Sequence, residues 1–454
     1  MTSNIGYLPK IIVPSSHYEM STGHGSTTGA VRFSICSPSL VIVFFIGWLL
    51  PATCGWAADT QYFFQFRGPY GDGHVEATGL PVHWSSTDNV RWRTAIPGLG
   101  WSSPVVWGDK VFVTTAVALG EEPQPDYSLR ALCLDAEQGE ILWDVEVFRE
   151  PGASSPRIHT KNSHASPTPI AFGDRLYVHF GHMGTACLSF DGKVVWRNDT
   201  LRYPPVHGNG GSPVLWQDRL LFSCDGAVDP FVVALSAGTG SVLWRTPRNT
   251  DALKKFSFST PALIEVGGRA QLVSPGSDAL CAYDPQTGRE IWRVRYDGYS
   301  VVPKPVFGHG LVFFSTGYDA PEVLAVRVDG RGDVTDTHIV WRQRRGAPNT
   351  PSLLLVDHYL YMVSDRGIAS CLESTTGHIV WQQRLNGNFS ASPLYGDGKI
   401  YLQSEEGVGY VLQPGPEFRL LARNDLGERT LASYAVSGRR LLIRTAGHLY
   451  CIGD

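Results

Sequence analysis

ALCLDAEQGEILW, at residues 131–143, returns three more times along the chain in recognisable form. The other copies are VALSAGTGSVLW (233–244), LCAYDPQTGREIW (280–292) and ASCLESTTGHIVW (369–381). In all four copies a glycine stands four residues before the closing tryptophan. Glycine readily adopts the positive φ that a tight turn requires, and apolar residues follow it. Each phrase therefore predicts two antiparallel strands joined by a tight turn.

A second strand pair precedes each of these phrases. It begins at a Ser/Thr-Pro-like step and turns at a Gly-Asp type of sequence, with alternating apolar residues on both sides, as a half-buried hairpin requires. The clearest copies are SSPVVWGDKVFVTTA (102–116), ASPTPIAFGDRLYVHF (165–180), GSPVLWQDRLLFS (211–223) and ASPLYGDGKIYLQS (391–404). Four short strands in every forty to fifty residues are typical of a β-propeller blade.

The tryptophans that end these units indicate the number of blades. They are Trp92, Trp143, Trp196, Trp244, Trp292, Trp341 and Trp381. The pattern returns at 391–421 and again at 430–454, where it stops after three strands, and residues 89–94 supply the missing fourth. We therefore predict an all-β fold: an eight-bladed β-propeller with four-stranded antiparallel blades. The N-terminal strand joins the C-terminal blade and closes the ring, which removes exposed sheet edges.

The repeated tryptophans and cysteines are predicted to be structural. A tryptophan at one place in every blade packs between neighbouring sheets and gives its N–H to a nearby carbonyl. Five cysteines fall at or beside one repeat position: Cys133, Cys187, Cys281, Cys371 and Cys451. Equivalent positions in different blades are too far apart for a disulfide. We expect these five to be buried free thiols, whereas the pattern leaves Cys224 unassigned.

The N-terminal region carries a targeting pattern. LVIVFFIGWLL at 40–50 is a continuous apolar run that matches the core of a signal peptide and is short for a membrane span. We predict a signal peptide or an N-terminal membrane anchor over 1–58, a lead-in arm over 59–88 and the propeller over 89–454. Whether the segment is cleaved, and whether translation starts at Met1 or Met20, stays open. The expected location is the periplasm or the cell envelope.

The composition excludes several classes of protein. The chain is 43% hydrophobic and 11% aromatic, which is enough for a packed core and excludes a disordered chain. Only 18% of residues are charged, the net charge is −4, and no run rich in Lys or Arg occurs. A nucleic-acid partner therefore has no support. We expect a monomeric propeller that meets a membrane only through its N-terminal segment, if that segment is retained.

One face of the predicted propeller is richer in chemistry than the other. The turns after the first and third strands of each blade are tight, whereas the other connections are longer, and loops of that kind usually carry function. A polar funnel that holds a small ligand or a peptide is predicted there; the alternative is that these are ordinary solvated loops. The candidate residues are Trp101, His164, His207, Asn209, Asp225, Lys255, Asp278, Tyr299, Asn349, Asp365, Arg366, Asn388, Phe389, Glu405 and Arg444.

No catalytic or metal-binding residue is assigned from the sequence. The pair His179 and His182 and the pair His159 and His164 have neither the helical spacing nor the neighbouring carboxylate of a zinc motif. We interpret them as solvated loop histidines. No nucleophile elbow, HExxH motif or P-loop is present.

The phrase A-x-D-x-x-T-G-x-x-x-W resembles the quinoprotein-type (PQQ-like) β-propeller repeat. Bacterial quinoprotein dehydrogenases share this repeat with the periplasmic outer-membrane-assembly lipoprotein of the BamB type, and the likeness covers about residues 89–454. YFFQFRGPYGDG at 62–73 resembles a lead-in of exported propeller proteins of this family. The dehydrogenases imply an adjacent Cys-Cys pair above the quinone and Glu, Asn and Asp ligands for calcium. No two cysteines are adjacent here and the calcium set is not matched, so PQQ is disfavoured and no cofactor is expected.

Three functions follow from this reading. The first is a non-catalytic scaffold for protein binding or outer membrane assembly, with an envelope protein, a peptide or a small polar ligand on the funnel face. The second is a PQQ-dependent oxidoreductase, which the missing features disfavour. The third, suggested only by the funnel aromatics, is binding or hydrolysis of envelope polysaccharide. A fold of this kind hosts many activities, so the fold does not decide between them.

Overall fold

The computed structural model describes residues 62–121, 123–155 and 158–454. The predicted signal or anchor at 1–58 therefore lies outside the described residues. Within the described part, the strands form eight antiparallel four-stranded blades. We name the strands of each blade A to D from the innermost outward, because the A strands of neighbouring blades contact one another around a central channel. The predicted eight-bladed propeller is confirmed.

The strand bounds follow the repeat closely. The A to D strands of blade 1 are Val105–Trp107, Lys110–Leu119, Asp126–Asp135 and Ile141–Glu150, and those of blade 2 are Ile170–Phe172, Arg175–His179, Thr185–Ser189 and Val194–Asn198. Those of blade 3 are Val214–Trp216, Arg219–Cys224, Phe231–Ser236 and Val242–Pro247, and those of blade 4 are Ala262–Val266, Arg269–Gly276, Ala279–Tyr283 and Glu290–Arg295. The A to D strands of blade 5 are Val306–Gly308, Leu311–Ser315, Val323–Arg327 and Ile339–Gln343, and those of blade 6 are Leu354–Val356, Tyr359–Val363, Ile368–Glu373 and Ile379–Arg384. Those of blade 7 are Leu394–Gly396, Lys399–Gln403, Val408–Gln413 and Arg419–Asp425. A 3₁₀ turn covers Gly181–Met183. The connection between the C and D strands of blade 5 forms an excursion that contains the short strand Gly332–Asp333, which pairs with blade 4, and the short helix Thr335–His338.

Blade 8 is assembled from both ends of the propeller sequence. Its A, B and C strands are Ala435–Ser437, Arg440–Arg444 and His448–Ile452, and its D strand is Val90–Ala95. The D strand pairs antiparallel with the C strand, with Trp92 opposite Cys451. The predicted closure of the ring is confirmed.

Six of the seven repeated tryptophans join their blade to the next. Trp92 donates its indole N–H to the Ala136 carbonyl of blade 1 at 3.1 Å, and its ring lies under the turn glycine Gly139. Gly139 has φ +74°, and a Cβ there would lie 2.4 Å from the indole, so both the conformation and the close approach require glycine. Five further indoles make the same kind of bond to the following blade: Trp143, Trp196, Trp244, Trp341 and Trp381.

Trp292 departs from this pattern. The excursion of blade 5 covers it, so that Trp292 is fully buried and donates to the Gln271 side chain within its own blade. Four of the others, Trp143, Trp196, Trp244 and Trp381, are only half-buried. The indoles therefore seal the outer rim between blades, while the inner seams between neighbouring sheets are filled by clusters of buried Val, Leu, Phe and Ala side chains.

Residues 62–75, which belong to the predicted lead-in arm, lie inside the ring. The short strand Tyr62–Phe63 pairs antiparallel with the inner edge of the A strand of blade 1. The chain turns after Phe66 and returns beside blade 7, where His74 bridges to Tyr395. Phe63 is fully buried in the core cluster of blades 7, 8 and 1. We call residues 62–75 the plug, because this hairpin fills the channel at the end where the A–B turns emerge.

The chain after the plug places a tryptophan beside blade 7, whose own repeat lacks one. Blade 7 has Ala422 where the other blades carry their tryptophan, opposite Val411. Trp84 packs into the same core cluster as these two residues, and its backbone N–H donates to Asn424 Oδ1 at 3.0 Å. The connection between plug and closing strand thus supplies the large aromatic side chain that blade 7 lacks.

All five cysteines predicted as buried free thiols are confirmed as such, and Cys224 is a sixth. Burial raises the pKa of the Cys133 thiol to about 12, so it is unreactive in the folded protein. No helix within residues 62–121, 123–155 and 158–454 has the length and apolar character needed to cross a membrane.

Candidate functional site

A cavity of about 270 Å³ occupies the centre of the ring at the end opposite the A–B turns. Its wall is built by the segments that lead into the A strands, with Tyr318 added from the B–C loop of blade 5, and Phe66 of the plug reaches it from below. The plug therefore turns the channel into a cup closed at one end. Cups of this kind, close to the small end of ligand sites at roughly 300 Å³, hold compact molecules.

Seven hydroxyl residues, one from each of seven blades, surround the narrow part of the cavity. They stand at the start of the A strands and are nearly fully buried: Ser103, Thr168, Ser212, Thr260, Ser352, Ser392 and Ser433. We call this set the hydroxyl ring. A hydroxyl of one blade accepts the backbone N–H at the equivalent position of the preceding blade, in six bonds of 2.8–3.1 Å.

The hydroxyl ring leaves hydrogen-bond donors available. A hydroxyl that accepts an N–H still carries its own hydrogen. Six of the seven accept in this way, and the seventh, Ser103 Oγ, is buried without a hydrogen-bond partner among the described residues. The narrow part of the cavity therefore surrounds a ligand with O–H donors.

Lys304 occupies the eighth position of the ring, and its environment is electrostatically costly. It is 3% exposed and lies against the plug, where Arg67 is 2% exposed. Burial lowers the pKa of Lys304 to about 7. Repulsion by the positive charge of Arg67 acts in the same direction, and the weaker attraction of Asp72 opposes it. Burial likewise lowers the pKa of Arg67 to about 10, and its Nε and Nη1 have no partner among the described residues. Both side chains lie below the cavity and do not line it.

We predict that Lys304→Met stabilises the protein and does so most at low pH. The folded pKa is lowered, so between about pH 7 and pH 10 the unfolded chain binds more protons than the folded one, and stability rises with pH across this window. Below pH 7 both states carry the charge and its full cost is present. At pH 6 the variant should gain more than about 1.4 kcal/mol in denaturant unfolding, the equivalent of one pKa unit.

The gain of Lys304→Met should shrink from pH 7 to pH 10. Lys255→Met, a change at a half-buried lysine elsewhere, serves as the matched control and should leave the pH dependence of the parent unchanged. A Lys304→Met variant that is less stable than the parent at pH 6 would show that the ammonium is stabilised by its surroundings.

Aromatic side chains form one side of the cavity above the hydroxyl ring. Ring centroids separate His159 from His207 by 5.8 Å, His207 from Phe256 by 5.5 Å and Phe256 from Tyr299 by 5.7 Å. Phe258 joins Phe256 at 6.0 Å. We call these five residues the aromatic wall. Trp101 and Tyr318 add two further rings to the lining.

A loop of blade 2 reaches across the mouth of the cavity to blades 7 and 8. Lys161 forms an ion pair with Glu405 of blade 7 at 2.7 Å, and Arg429 donates to the Thr160 carbonyl at 2.9 Å. Asn162 is fixed by a 2.9 Å bond to the His207 carbonyl. Lys161 is the one charged residue that lines the cavity among the described residues, and Glu405 neutralises it.

The structure brings together only some of the residues predicted for the funnel. Trp101, His207 and Tyr299 line the cavity, and Glu405 holds Lys161 at its edge. The remaining candidates do not line it: His164, Asn209, Asp225, Lys255, Asp278, Asn349, Asp365, Arg366, Asn388, Phe389 and Arg444. The cavity lining therefore consists mainly of hydroxyl and aromatic groups, and most of the charged candidates lie outside it.

Most of these other candidates make structural contacts. Asp365 accepts the backbone N–H of Asn349 at 2.6 Å and the Thr350 hydroxyl, and thereby shapes a loop. The Asn388 side chain donates to Glu406, and Phe389 is fully buried in the core. Arg366 is exposed, whereas Lys255 and Asp278 are half-buried outside the lining.

Arg444 and Asp225 are buried charges at blade seams. Arg444 is 1% exposed and donates to Ser102 Oγ at 3.1 Å and to the Thr114 carbonyl, which ties blade 8 to blade 1. Burial lowers the pKa of Arg444 to about 9. Asp225 pairs with Arg248 at 2.6 Å, both side chains being almost inaccessible. These charges act in packing and not in the cavity.

Three histidines predicted as solvated loop residues are in fact buried. His179 bonds to Thr185 Oγ1 at 2.8 Å, His182 to the Asn209 side chain at 3.0 Å, and His164 packs on Tyr127. Burial lowers the pKa of His179 to about 3 and those of His164 and His182 to about 4, so all three are neutral at pH 7. In the part of the chain that the structure describes, no group of three or more His, Cys, Asp or Glu residues is placed to hold a metal ion.

Sequence reasoning missed the hydroxyl ring although the signal was present. The Ser/Thr-Pro steps mark the start of the A strands, and a Ser or Thr side chain recurs there in seven of the eight blades. Phe256 and Phe258 lie in a loop without any repeat, and Phe66 lies in the plug. No periodic pattern points to those three aromatics, because their positions depend on how distant segments meet.

The lining does not fit the PQQ cofactor of the dehydrogenases. PQQ carries several carboxylates and works with a bound calcium ion, so its site needs cations and converging oxygen ligands. Among the described residues that line the cavity, Lys161 is the one cation and is already paired, and none of them is a carboxylate. The described cysteines lie in different blades, so none forms an adjacent pair.

Fold and site define the class of this protein: a PQQ-like eight-bladed β-propeller with a plugged channel and a polar, aromatic cavity. The family described as outer membrane protein assembly factor BamB matches residues 71–227, 228–357 and 333–415. The chain therefore belongs to this family. No curated protein matches its sequence.

Solved structures share the fold at low sequence identity. A quinohemoprotein alcohol dehydrogenase from Comamonas testosteroni has a TM-score of 0.63 at 11% identity, over 88% of this chain and 82% of that one. BamB from Moraxella catarrhalis has a TM-score of 0.51 at 16% identity, over 76% of this chain and 97% of that one. A europium-containing methanol dehydrogenase has a TM-score of 0.51 at 11% identity, over 86% of this chain and 90% of that one. At these identities the likeness shows the fold alone.

Proposed function

We propose that this protein is a non-catalytic binding or assembly scaffold of the bacterial cell envelope. One observation carries the proposal: the cavity face presents hydroxyls, aromatic rings and a lysine neutralised by Glu405. A lining of this kind favours recognition of a polar partner over redox chemistry on a bound quinone. Membership of the BamB family supports a role in outer membrane assembly.

The proposal includes location and partner. The chain is exported by its N-terminal segment to the periplasm, and an envelope protein, a peptide or a small polar ligand binds at the cavity face. The propeller acts without PQQ or another cofactor. Crosslinking in intact cells, followed by identification of the captured envelope proteins, tests the partner directly.

The competing function is a PQQ-dependent oxidoreductase, and a cofactor titration separates the two. Adding PQQ with calcium ions to the purified protein should give no bound-quinone spectrum and no alcohol- or sugar-dependent dye reduction. A quinoprotein dehydrogenase assayed in parallel serves as the positive control. Stoichiometric PQQ binding with turnover would replace the scaffold by the enzyme.

A further inference from the structure

We propose that the cavity binds one or two rings of a neutral saccharide. This inference rests on the proposed binding function and names the ligand class. It depends on three features of the cup: the hydroxyl ring, the aromatic wall and the neutral charge of the lining.

The hydroxyl ring matches the edge of a sugar. Six of its hydroxyls accept a hydrogen bond from a backbone N–H group. Each of these six keeps its own O–H hydrogen, which it can donate to a ligand. Ser103 Oγ is buried without a partner, and buried polar groups ordinarily have one. A saccharide carries hydroxyl, ring and glycosidic oxygens around its whole perimeter, and these accept hydrogen bonds from any side.

The aromatic wall matches the face of a sugar. Phe256 is its centre, with His207 and Tyr299 in edge contact on either side. Phe256, Phe258 and Tyr299 are half-buried, so part of each ring is open to a ligand. The C–H groups on the face of a pyranose ring pack on such apolar rings, while its hydroxyls point outward.

The charge and shape of the cup exclude other occupants. Among the described residues that line the cavity, Lys161 is the one cation, and Glu405 neutralises it. This part of the lining therefore offers no free cation for a phosphate or a carboxylate. The plug closes the floor at Phe66, which prevents an extended peptide or polymer from passing through the channel. A chain end of one or two sugar units fits a cup of about 270 Å³.

The test uses the full chain, two saccharide probes and matched variants. Cellobiose and N,N′-diacetylchitobiose are titrated by calorimetry and by tryptophan fluorescence, since Trp101 lines the cavity. We expect Phe256→Leu to weaken binding of at least one probe by about tenfold, and Ser103→Ala by about threefold. Ser103→Ala leaves the backbone bond of residue 103 to Thr168 in place.

Two substitutions outside the cavity serve as controls. Phe172→Leu changes an exposed aromatic residue near the A–B turn of blade 2, and Ser241→Ala changes an exposed turn serine. Both should bind the probes like the parent. If Phe256→Leu fails to fold, as judged by its melting curve, Tyr299→Leu replaces it with the same expectation.

The outcomes separate this inference from the proposed function. Failure of both probes to bind, or unchanged affinity in either cavity variant, overturns the saccharide inference. If envelope proteins are nevertheless captured in cells and PQQ does not bind, the scaffold function stands without it. Quinone binding with turnover overturns both.

Discussion

A variant that lacks residues 84–96 is expected to lose the cooperative unfolding transition of the whole propeller. The deletion removes the D strand of blade 8, whose backbone pairs with His448–Ile452, and the indoles of Trp84 and Trp92. Losing either buried indole alone costs about 3–5 kcal/mol, against a total stability of roughly 5–15 kcal/mol. The melting temperature should fall by more than about 10 °C, or no transition should remain.

A surface change in the same strand provides the control for this deletion. Arg91 pairs with Glu137 at 2.8 Å, and both side chains are well exposed. Exposed ion pairs contribute about 0–1 kcal/mol, so Arg91→Ala should melt close to the parent. Calorimetry and limited proteolysis measure both variants. A deletion variant with the melting curve of the parent would show that ring closure does not hold the blades together.

Arg248→Met is expected to destabilise the protein by about 3–5 kcal/mol, because it leaves the buried Asp225 carboxylate without a counter-charge. Arg248 Nε lies 2.6 Å from Asp225 Oδ1, and the guanidinium also donates to Ser274 and to the Pro275 carbonyl of blade 4. Asp225 Oδ2 has no partner among the described residues. Removing the arginine thus also removes one of the hydrogen-bonded links between blades 3 and 4.

The pH dependence of Arg248→Met distinguishes charge from packing. Burial raises the pKa of Asp225 even with Arg248 present, and removing the arginine raises it further. The folded variant then takes up a proton more readily than the unfolded chain, so its deficit relative to the parent shrinks as pH falls. The double variant Asp225→Leu/Arg248→Met, which removes both charges, should recover part of the loss in urea unfolding. Equal loss in the single and double variants would refute this account.

Much of the architecture could be predicted because the information is local and repeated. The turn glycine four residues before the closing tryptophan of the clearest copies, such as Gly139 before Trp143, indicates the C–D hairpin directly. The alternation of apolar residues around each Gly-Asp turn indicates the A–B hairpin. The incomplete repeat at 430–454 required a strand from elsewhere, and 89–94 was the segment that matched. The shared position of the cysteines excluded disulfides in the same way.

The chemistry of the cavity could not be predicted to the same degree. Periodicity predicts which strand residues face the core, but it carries no information on where a loop side chain points once the loop is folded. Asp225 and Arg444 were predicted for the funnel because they follow B strands or end them. In the structure both side chains lie in the seams between blades. There Asp225 forms an ion pair with Arg248, and Arg444 donates a hydrogen bond to the Thr114 carbonyl.

The sequence by itself determined the blade number and the role of the tryptophans, since each depends on hydrogen bonding and burial within one or two adjacent repeats. It also determined the closing strand, because the repeat at 430–454 stops one strand short and residues 89–94 match the missing strand. Only the tertiary structure decided that residues 62–75 plug the channel, that seven hydroxyls form a ring, and that Lys161 meets Glu405. Those features join residues that are dozens to hundreds of positions apart. Their contacts exist only after the ring has closed, because closure alone brings the inner edges of all eight blades to one axis.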